Sequence, residues 1–297
     1  MIAFRTFLTL IAVCAALGSA ATAQAASYRL PENGDNVVGA VTTLKLAYED
    51  TLASIAEEYG VGFREIVDAN PGVDPWLPGE GTIIVLPTQY VLPSTPREGI
   101  VINVAEYRMY FYPAGGNRVI TFPVGVGREE YRTPLIKTQT VASIRNPSWT
   151  PTKDARREHA EYGDILPPVV PPGPENPLGE LAIQLKIPGY FIHGTNKPFG
   201  VGQKVSHGCI RLHNEHVLTL AELAPSGTPV YIVNEPVKVG VRYDEVFLEI
   251  HRDLYEEPDQ ESLKHVVLEK SGDHAANLDW QRVAQVLDDL KGIPVRI

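Results

Sequence analysis

Apolar positions recur along this chain with two different periods, and each change of period marks a boundary. Between residues 38 and 87, a short strand-like run at 41–46 is followed by Leu52, Ile55, Ala56 and Tyr59 at helical spacing. Asp50 or Thr51 is placed to cap that helix, and Gly60 to end it in the left-handed conformation. Phe63, Ile66 and Val67 predict a second helix, stopped by Asn70-Pro71-Gly72, and 82–86 predicts a second strand. The unit therefore reads as strand, helix, helix, strand. Pro87, Pro93 and Pro96 then predict a stiff connector.

From 97 to 235 the period shortens. Apolar or aromatic runs at 100–104, 109–112, 119–126, 141–144, 181–185, 190–193 and 230–233 read as strands. Helical patterns are confined to 153–162 and to 214–223, the latter with Asn214 as its cap. This predicts a mainly β domain, a sandwich or an open barrel. The stretch 166–179 holds six prolines, lacks the amides of a central strand, and predicts a rigid surface loop of the kind that often serves function. The remainder, 236–297, is an extension: strands at 237–241 and 246–251, then amphipathic helices within 258–291. Val266, Val267, Trp280, Val283, Val286, Leu287 and Leu290 are expected on faces packed against the core. No chemistry is read in that extension.

Residues 1–26 read as a secretory leader. Arg5 is the only charge near the start, the apolar run 6–20 is short for a bilayer span, and Ala21-Thr22-Ala23 or Ala23-Gln24-Ala25 fits a cleavage site. Bulky Val13 argues against a lipid-bearing Cys14. Export changes the cysteine count: of two cysteines, Cys14 leaves with the leader and Cys209 remains as a lone thiol in an oxidising compartment. The net charge of −10, with no basic run, excludes a nucleic-acid partner and says little about chemistry.

A lone thiol is a buried hydrophobe, an intermolecular link or a reactive group. Its neighbours favour reactivity: Tyr190-Phe191-Ile192-His193-Gly194-Thr195 and Ser206-His207-Gly208-Cys209-Ile210-Arg211-Leu212. Thiol acyl transfer needs a nucleophile, a base, an orienting group for the base, and amides aimed at the developing oxyanion. Cys209 can supply the first and His193, at the end of an apolar strand, the second. Gly208 permits a strained turn in which its own amide and that of Cys209 face one oxyanion. A histidine neighbour would lower the cysteine pKa and raise its thiolate fraction. Metal ligation by His193, His207, Cys209 and His213 is the competing reading, and His-x-Cys-x-x-x-His with one cysteine matches common zinc spacings poorly. The patterns of papain-like proteases, caspases and serine-elbow hydrolases are missing.

These two segments resemble the signature of the L,D-transpeptidase family (the YkuD-type catalytic domain): a His, a gap of about 14 to 17 residues, then Ser/Thr-x-Gly-Cys, an aliphatic residue and Arg or Asn. Asn146-Pro147-Ser148-Trp149-Thr150-Pro151-Thr152, Asn176-Pro177-Leu178-Gly179 and Asn234-Glu235-Pro236-Val237-Lys238-Val239 are similar to a periplasmic subgroup that anchors an outer-membrane lipoprotein to peptidoglycan. Asp50-Thr51-Leu52-Ala53-Ser54-Ile55-Ala56 with Asn70-Pro71-Gly72 resembles a LysM module, a glycan-binding family. One departure stands out: Thr133-Pro134-Leu135-Ile136 replaces a Thr-Pro-x-Gly turn, which puts that turn's geometry in question.

The resemblance implies a β catalytic domain at 97–235 with an α+β LysM-like module at 38–87. It implies that Cys209 attacks the diaminopimelate carbonyl of a tetrapeptide stem, releases D-alanine, and passes the acyl group to an amine of a lipoprotein lysine or another diaminopimelate. His193 would activate the thiol and the Gly194 carbonyl would orient the ring. Gly208 and Cys209 would stabilise the oxyanion, and Arg211, His207 and Ser206 would contact substrate. No metal or organic cofactor is implied, and carbapenems are expected to acylate the cysteine. The partners implied are peptidoglycan stem peptides and glycan, with a lipoprotein as acyl acceptor, in the periplasm. A hydrolase at the same site, or a wall-binding protein with a lapsed site, is the alternative. Removing residues 27–90 is expected to weaken wall binding more than chemistry.

Overall fold

The computed structural model describes residues 25–297. Most of the expected leader therefore lies outside the described residues. Its last position, Ala26, already belongs to a strand, paired with Thr121.

The centre of the molecule is a nine-stranded sheet. Strands Ala26–Arg29, Arg118–Pro123, Arg108–Tyr112, Gly99–Asn103, Pro229–Val233, Ile136–Arg145, Leu181–Leu185, Phe191–His193 and Ile210–Arg211 lie side by side in that order. Two pairs are parallel: Pro229–Val233 with Gly99–Asn103, and Phe191–His193 with Ile210–Arg211. The strand Ile136–Arg145 pairs through its first half with Pro229–Val233 and through its second half with Leu181–Leu185, with a register shift between Thr140 and Ala142. The mainly β expectation is met. The runs Ile100-Val101-Ile102 and Met109-Tyr110-Phe111 are continuous because both faces of the sheet are covered. Ile100, Ile102, Met109 and Phe111 join the main core with Val217 and Leu220 of the helix Asn214–Leu223. Val101, Tyr110 and Tyr112 point the other way, against Val38, Tyr90 and Leu92.

That second contact corrects the reading of 87–96 as a connector. Residues Gln89–Val91 form a strand paired with Val37–Gly39, and Tyr90, Val91 and Leu92 are buried. The prolines end the strand without freeing the segment, because apolar side chains between them cover the sheet. The expectation for removal of 27–90 changes with it, since the deletion would strip one face of the sheet.

The unit at 38–87 has the expected order. Strands Thr42–Lys45 and Ile83–Leu86 pair antiparallel, and helices Leu52–Glu58 and Phe63–Ala69 close over a core containing Leu52, Ile55, Ile66 and Ile84. Thr51 caps the first helix by accepting the Ser54 amide. The unit is fastened to the sheet by a buried, bidentate ion pair from Arg108 Nε and Nη2 to Glu65.

The extension builds a small core of its own. Strands Val237–Arg242, Glu245–Ile250 and Val295–Arg296 form a sheet under helices Gln260–Ser271 and Trp280–Asp289. Val267, Val283, Val286 and Leu287 are buried there, whereas Trp280, expected on an apolar face, is exposed. Lys238, paired with Glu249 of its own sheet, reaches buried Glu106 in the turn after strand Gly99–Asn103 and so ties this sheet to the central one. Among the described residues, no helix is long and apolar enough to cross a membrane.

Candidate active site

Two short strands set the site by alternation. In Phe191–His193, Ile192 enters the main core; in the parallel neighbour, Ile210 does the same, with Leu212 beyond it. Successive side chains of a strand point to opposite faces. Phe191, His193, Cys209 and Arg211 therefore all emerge on the other face, where they line one cavity of about 390 Å³. The register pairs Ile192 with Ile210 and His193 with Arg211. Sixteen residues of chain separate His193 from Cys209, and one inter-strand step brings their strands together.

His193 is buried, with Nδ1 2.6 Å from the Gly194 carbonyl oxygen. An oxygen acceptor at Nδ1 places the proton there and leaves Nε2 as the basic nitrogen. Gly194 has no room for a side chain: a Cβ there would lie 2.1 Å from Asn214 Oδ1. Asn214 accepts the Thr195 and Glu180 amides and donates to the Thr195 carbonyl, so it braces the turn after His193. This corrects its reading as a helix cap. His213 occupies the cap position, and the Asn214 amide spans two loops instead.

Cys209 is partly accessible at the cavity floor. Its Sγ lies 3.6 Å from the Gly189 carbonyl. Burial pushes the thiol pKa up, against smaller opposing effects of the Phe191 amide and the Arg211 charge. Burial first, and the Arg211 charge second, pull His193 down to about 4; the Gly194 carbonyl opposes them. Burial raises the thiol and lowers the imidazole, so the enclosed site disfavours the charge on each.

The nucleophile turn is tightly braced. Gly208 has φ of +101°, and a Cβ there would meet the Tyr190 ring at 3.0 Å. Its amide, expected at the oxyanion, is donated to Ser206 Oγ at 3.1 Å. The Ser206 hydroxyl in turn donates to the Cys209 carbonyl at 2.5 Å. Ser206, expected to contact substrate, lines the cavity and also braces this turn. The Cys209 amide has no acceptor among the described residues, which leaves it as the local donor for an oxyanion.

His207 has partners of its own. It lines the cavity, but its Nε2 lies 3.1 Å from Glu158 Oε2 and 3.2 Å from Arg128 Nη2, with its ring over Tyr131. The Arg128 hydrogen bonds hold the Glu158 carboxyl down to about 2. His207 is thus a wall of the site anchored to its own partners. His213 lies elsewhere, buried against His216 and close to Glu57 and Glu215.

Arg211 is the unpaired charge. It is largely buried, has no carboxylate partner among the described residues, and its Nε makes no hydrogen bond. Desolvation pulls its pKa down, and only the Cys209 sulfur opposes that effect. A guanidinium in this state favours an incoming anion.

The cavity walls come from the segments singled out in sequence. Trp149 and Thr150 form one side, Pro177 and Leu178 another. Asn176, fully buried, stitches them by donating to the Pro147 carbonyl at 2.8 Å and accepting the Leu178 amide. A second cavity of about 950 Å³ shares Trp149, His207 and Arg211 with the first. Sequence reasoning missed Thr133, Asn176 and Asn214 as site builders. An Asn among prolines was a usable signal, since its side chain must replace absent amides.

Residues 97–232 match the YkuD family, described as the L,D-transpeptidase catalytic domain. The chain is 39% identical over 305 residues to "Probable L,D-transpeptidase YcfS" of Escherichia coli, with 99% of this chain and 95% of that one covered. It is 41% identical over 283 residues to "Probable L,D-transpeptidase ErfK/SrfK" of Salmonella typhimurium, covering 92% and 91%. "Probable L,D-transpeptidase YbiS" of Escherichia coli is 39% identical over 296 residues, covering 96% of each. With a cysteine, a histidine held by its neighbour's carbonyl and a free guanidinium on one cavity wall, and with these relatives matching along nearly their whole length, the chain belongs to the L,D-transpeptidase family.

Proposed function

We propose that this protein is a periplasmic L,D-transpeptidase in which Cys209 forms a thioester with a peptidoglycan stem peptide. The supporting observation is that Cys209, His193 and the unpaired Arg211 line a single cavity. Arg211 takes a carboxylate of the donor tetrapeptide and sets its diaminopimelate carbonyl against the sulfur. His193 Nε2 accepts the Sγ proton as sulfur attacks. The oxyanion is met by the Cys209 amide, and the imidazolium then protonates the nitrogen of departing D-alanine. Burial and the Arg211 charge, which lower the imidazole pKa, favour its giving up that proton. An acceptor amine resolves the thioester, with His193 again taking the proton.

The second cavity suits the acceptor by its position. It adjoins the first cavity at Trp149, His207 and Arg211, and its charges are mixed: Glu158 is paired with Arg128 and Asp164 with His159, with Glu175 and Lys197 also in its lining. A lipoprotein C-terminal lysine and a second diaminopimelate both present an amine. The unit at 38–87 is a LysM-like module for the glycan, and the export leader ends before Ala26, the residue that pairs with Thr121.

The test is mass spectrometry of purified muropeptides after incubation with the enzyme, with and without an acceptor amine. D-alanine release together with a new cross-link or lysine adduct supports transfer. Release with water addition alone identifies a hydrolase, and no release overturns the reading.

A further inference from the structure

Two peptide units flank the sulfur, and each is held by a hydroxyl. Ser206 Oγ holds the carbonyl of the 209–210 unit. The carbonyl of the 208–209 unit is held by Thr133, whose Oγ1 donates to Gly208 O at 3.1 Å. The same hydroxyl accepts the Gly127 amide at 2.9 Å, which fixes where its own proton points. Thr133 is 2% exposed and lies 75 residues from Gly208 in sequence.

No cis peptide occurs in the described chain. A trans peptide is planar, with its C=O and N–H opposed. Holding the Gly208 carbonyl toward Thr133 therefore turns the Cys209 amide the opposite way. That amide has no acceptor among the described residues, while the Gly208 amide is committed to Ser206. Gly208, with φ of +101°, has the conformational freedom to let this peptide swing if it is released.

Thr133 is itself held by the extension. Tyr255 Oη donates to the Thr133 carbonyl at 3.1 Å. Tyr255 is fixed in turn: its amide and the Asn234 amide group both reach Asp253 Oδ1, Arg132 covers its ring at 4.8 Å, and the adjacent Leu254 enters the main core. Lys204, at the start of the strand leading to Ser206, donates to the Leu254 carbonyl.

We propose that Thr133, supported by Tyr255 of the C-terminal extension, is a positioning residue that aims the Cys209 amide at the oxyanion. The inference rests on the thioester reading. Oxyanion donors act on a transition state with negative oxygen and leave simple alkylation of the sulfur alone.

The experiment compares two reactions at Cys209, both followed by mass: acylation by a carbapenem and alkylation by iodoacetamide. Thr133→Val keeps the shape and removes the hydroxyl. Acylation is expected to slow by about 10- to 100-fold and alkylation by less than about threefold. Thr133→Ser should restore acylation to within about threefold, and Tyr255→Phe should slow it by about three- to tenfold. Acylation of Thr133→Val at the wild-type rate, equal loss in both reactions, or no rescue by serine overturns the proposal. Unchanged acylation in Tyr255→Phe removes the extension's part. If Thr133→Val fails to fold, Tyr255→Phe decides alone, and an unchanged rate overturns the proposal. Wild-type protein that is alkylated but never acylated defeats the thioester reading itself, a distinct outcome.

Discussion

His193 and Arg211 stand opposite each other across two parallel strands, so the proposed base sits beside a positive charge that has no carboxylate partner among the described residues. This neighbour, with burial, depresses the imidazole to about 4. The base should therefore remain competent well below neutrality. The acid limb of donor acylation, measured by mass spectrometry from pH 3.5 to 8, is expected between about 4 and 5. A limb near 6.5, the value of an ordinary histidine, would contradict this environment.

The same depression has a consequence for stability. Between pH 6.5 and about 4 the unfolded chain binds a proton at His193 that the folded chain does not. Stability contributed by the neutral buried imidazole is complete above 6.5 and is lost as pH falls through that window. The loss amounts to about 3 kcal/mol at most. Urea unfolding at pH 7 and pH 4.5 should show a smaller difference in His193→Asn than in the wild type.

Arg211→Met keeps most of the side-chain volume and removes the charge. Donor turnover is expected to fall about 10- to 100-fold, the scale of one charged hydrogen-bonded contact. A donor ending in an amide should lose a similar factor with the wild type and little more with the variant. Additive losses in that cycle would mean that Arg211 does not hold the carboxylate.

Cys209→Ala should fold normally and show no acyl adduct by mass with a tetrapeptide donor or a carbapenem. Any adduct retained after that substitution places the acyl group elsewhere.

The Glu65–Arg108 pair is buried on both sides. Glu65→Ala leaves a guanidinium stranded between the module and the sheet, and a loss of about 3 to 5 kcal/mol is expected from urea unfolding. Replacing both, as Glu65→Leu with Arg108→Met, should recover much of it. Equal losses in the single and double variants would show that packing, rather than charge, holds the module in place.

The residues proposed to react were legible because they are local in sequence. His193-Gly194 and Ser206 to Arg211 are contiguous runs, and alternation along two short strands is enough to put Phe191, His193, Cys209 and Arg211 on one face. The order of elements in the unit at 38–87 was legible for the same reason, since helix caps and turn residues act over a few positions. What holds those residues was decided over long separations. Thr133 reaches Gly208 across 75 residues, Tyr255 reaches Thr133 across 122, and Asn214 reaches Thr195 across 19. No periodicity encodes such bonds. The electrostatic bias also came only from the fold: sequence suggested a thiolate because a histidine was near, whereas burial raises the thiol pKa against the pull of Arg211, and burial together with the Arg211 charge lowers the imidazole. Identity and spacing set what chemistry is available. Desolvation and distant hydroxyls, which exist only once the chain has closed on itself, set how that chemistry is poised.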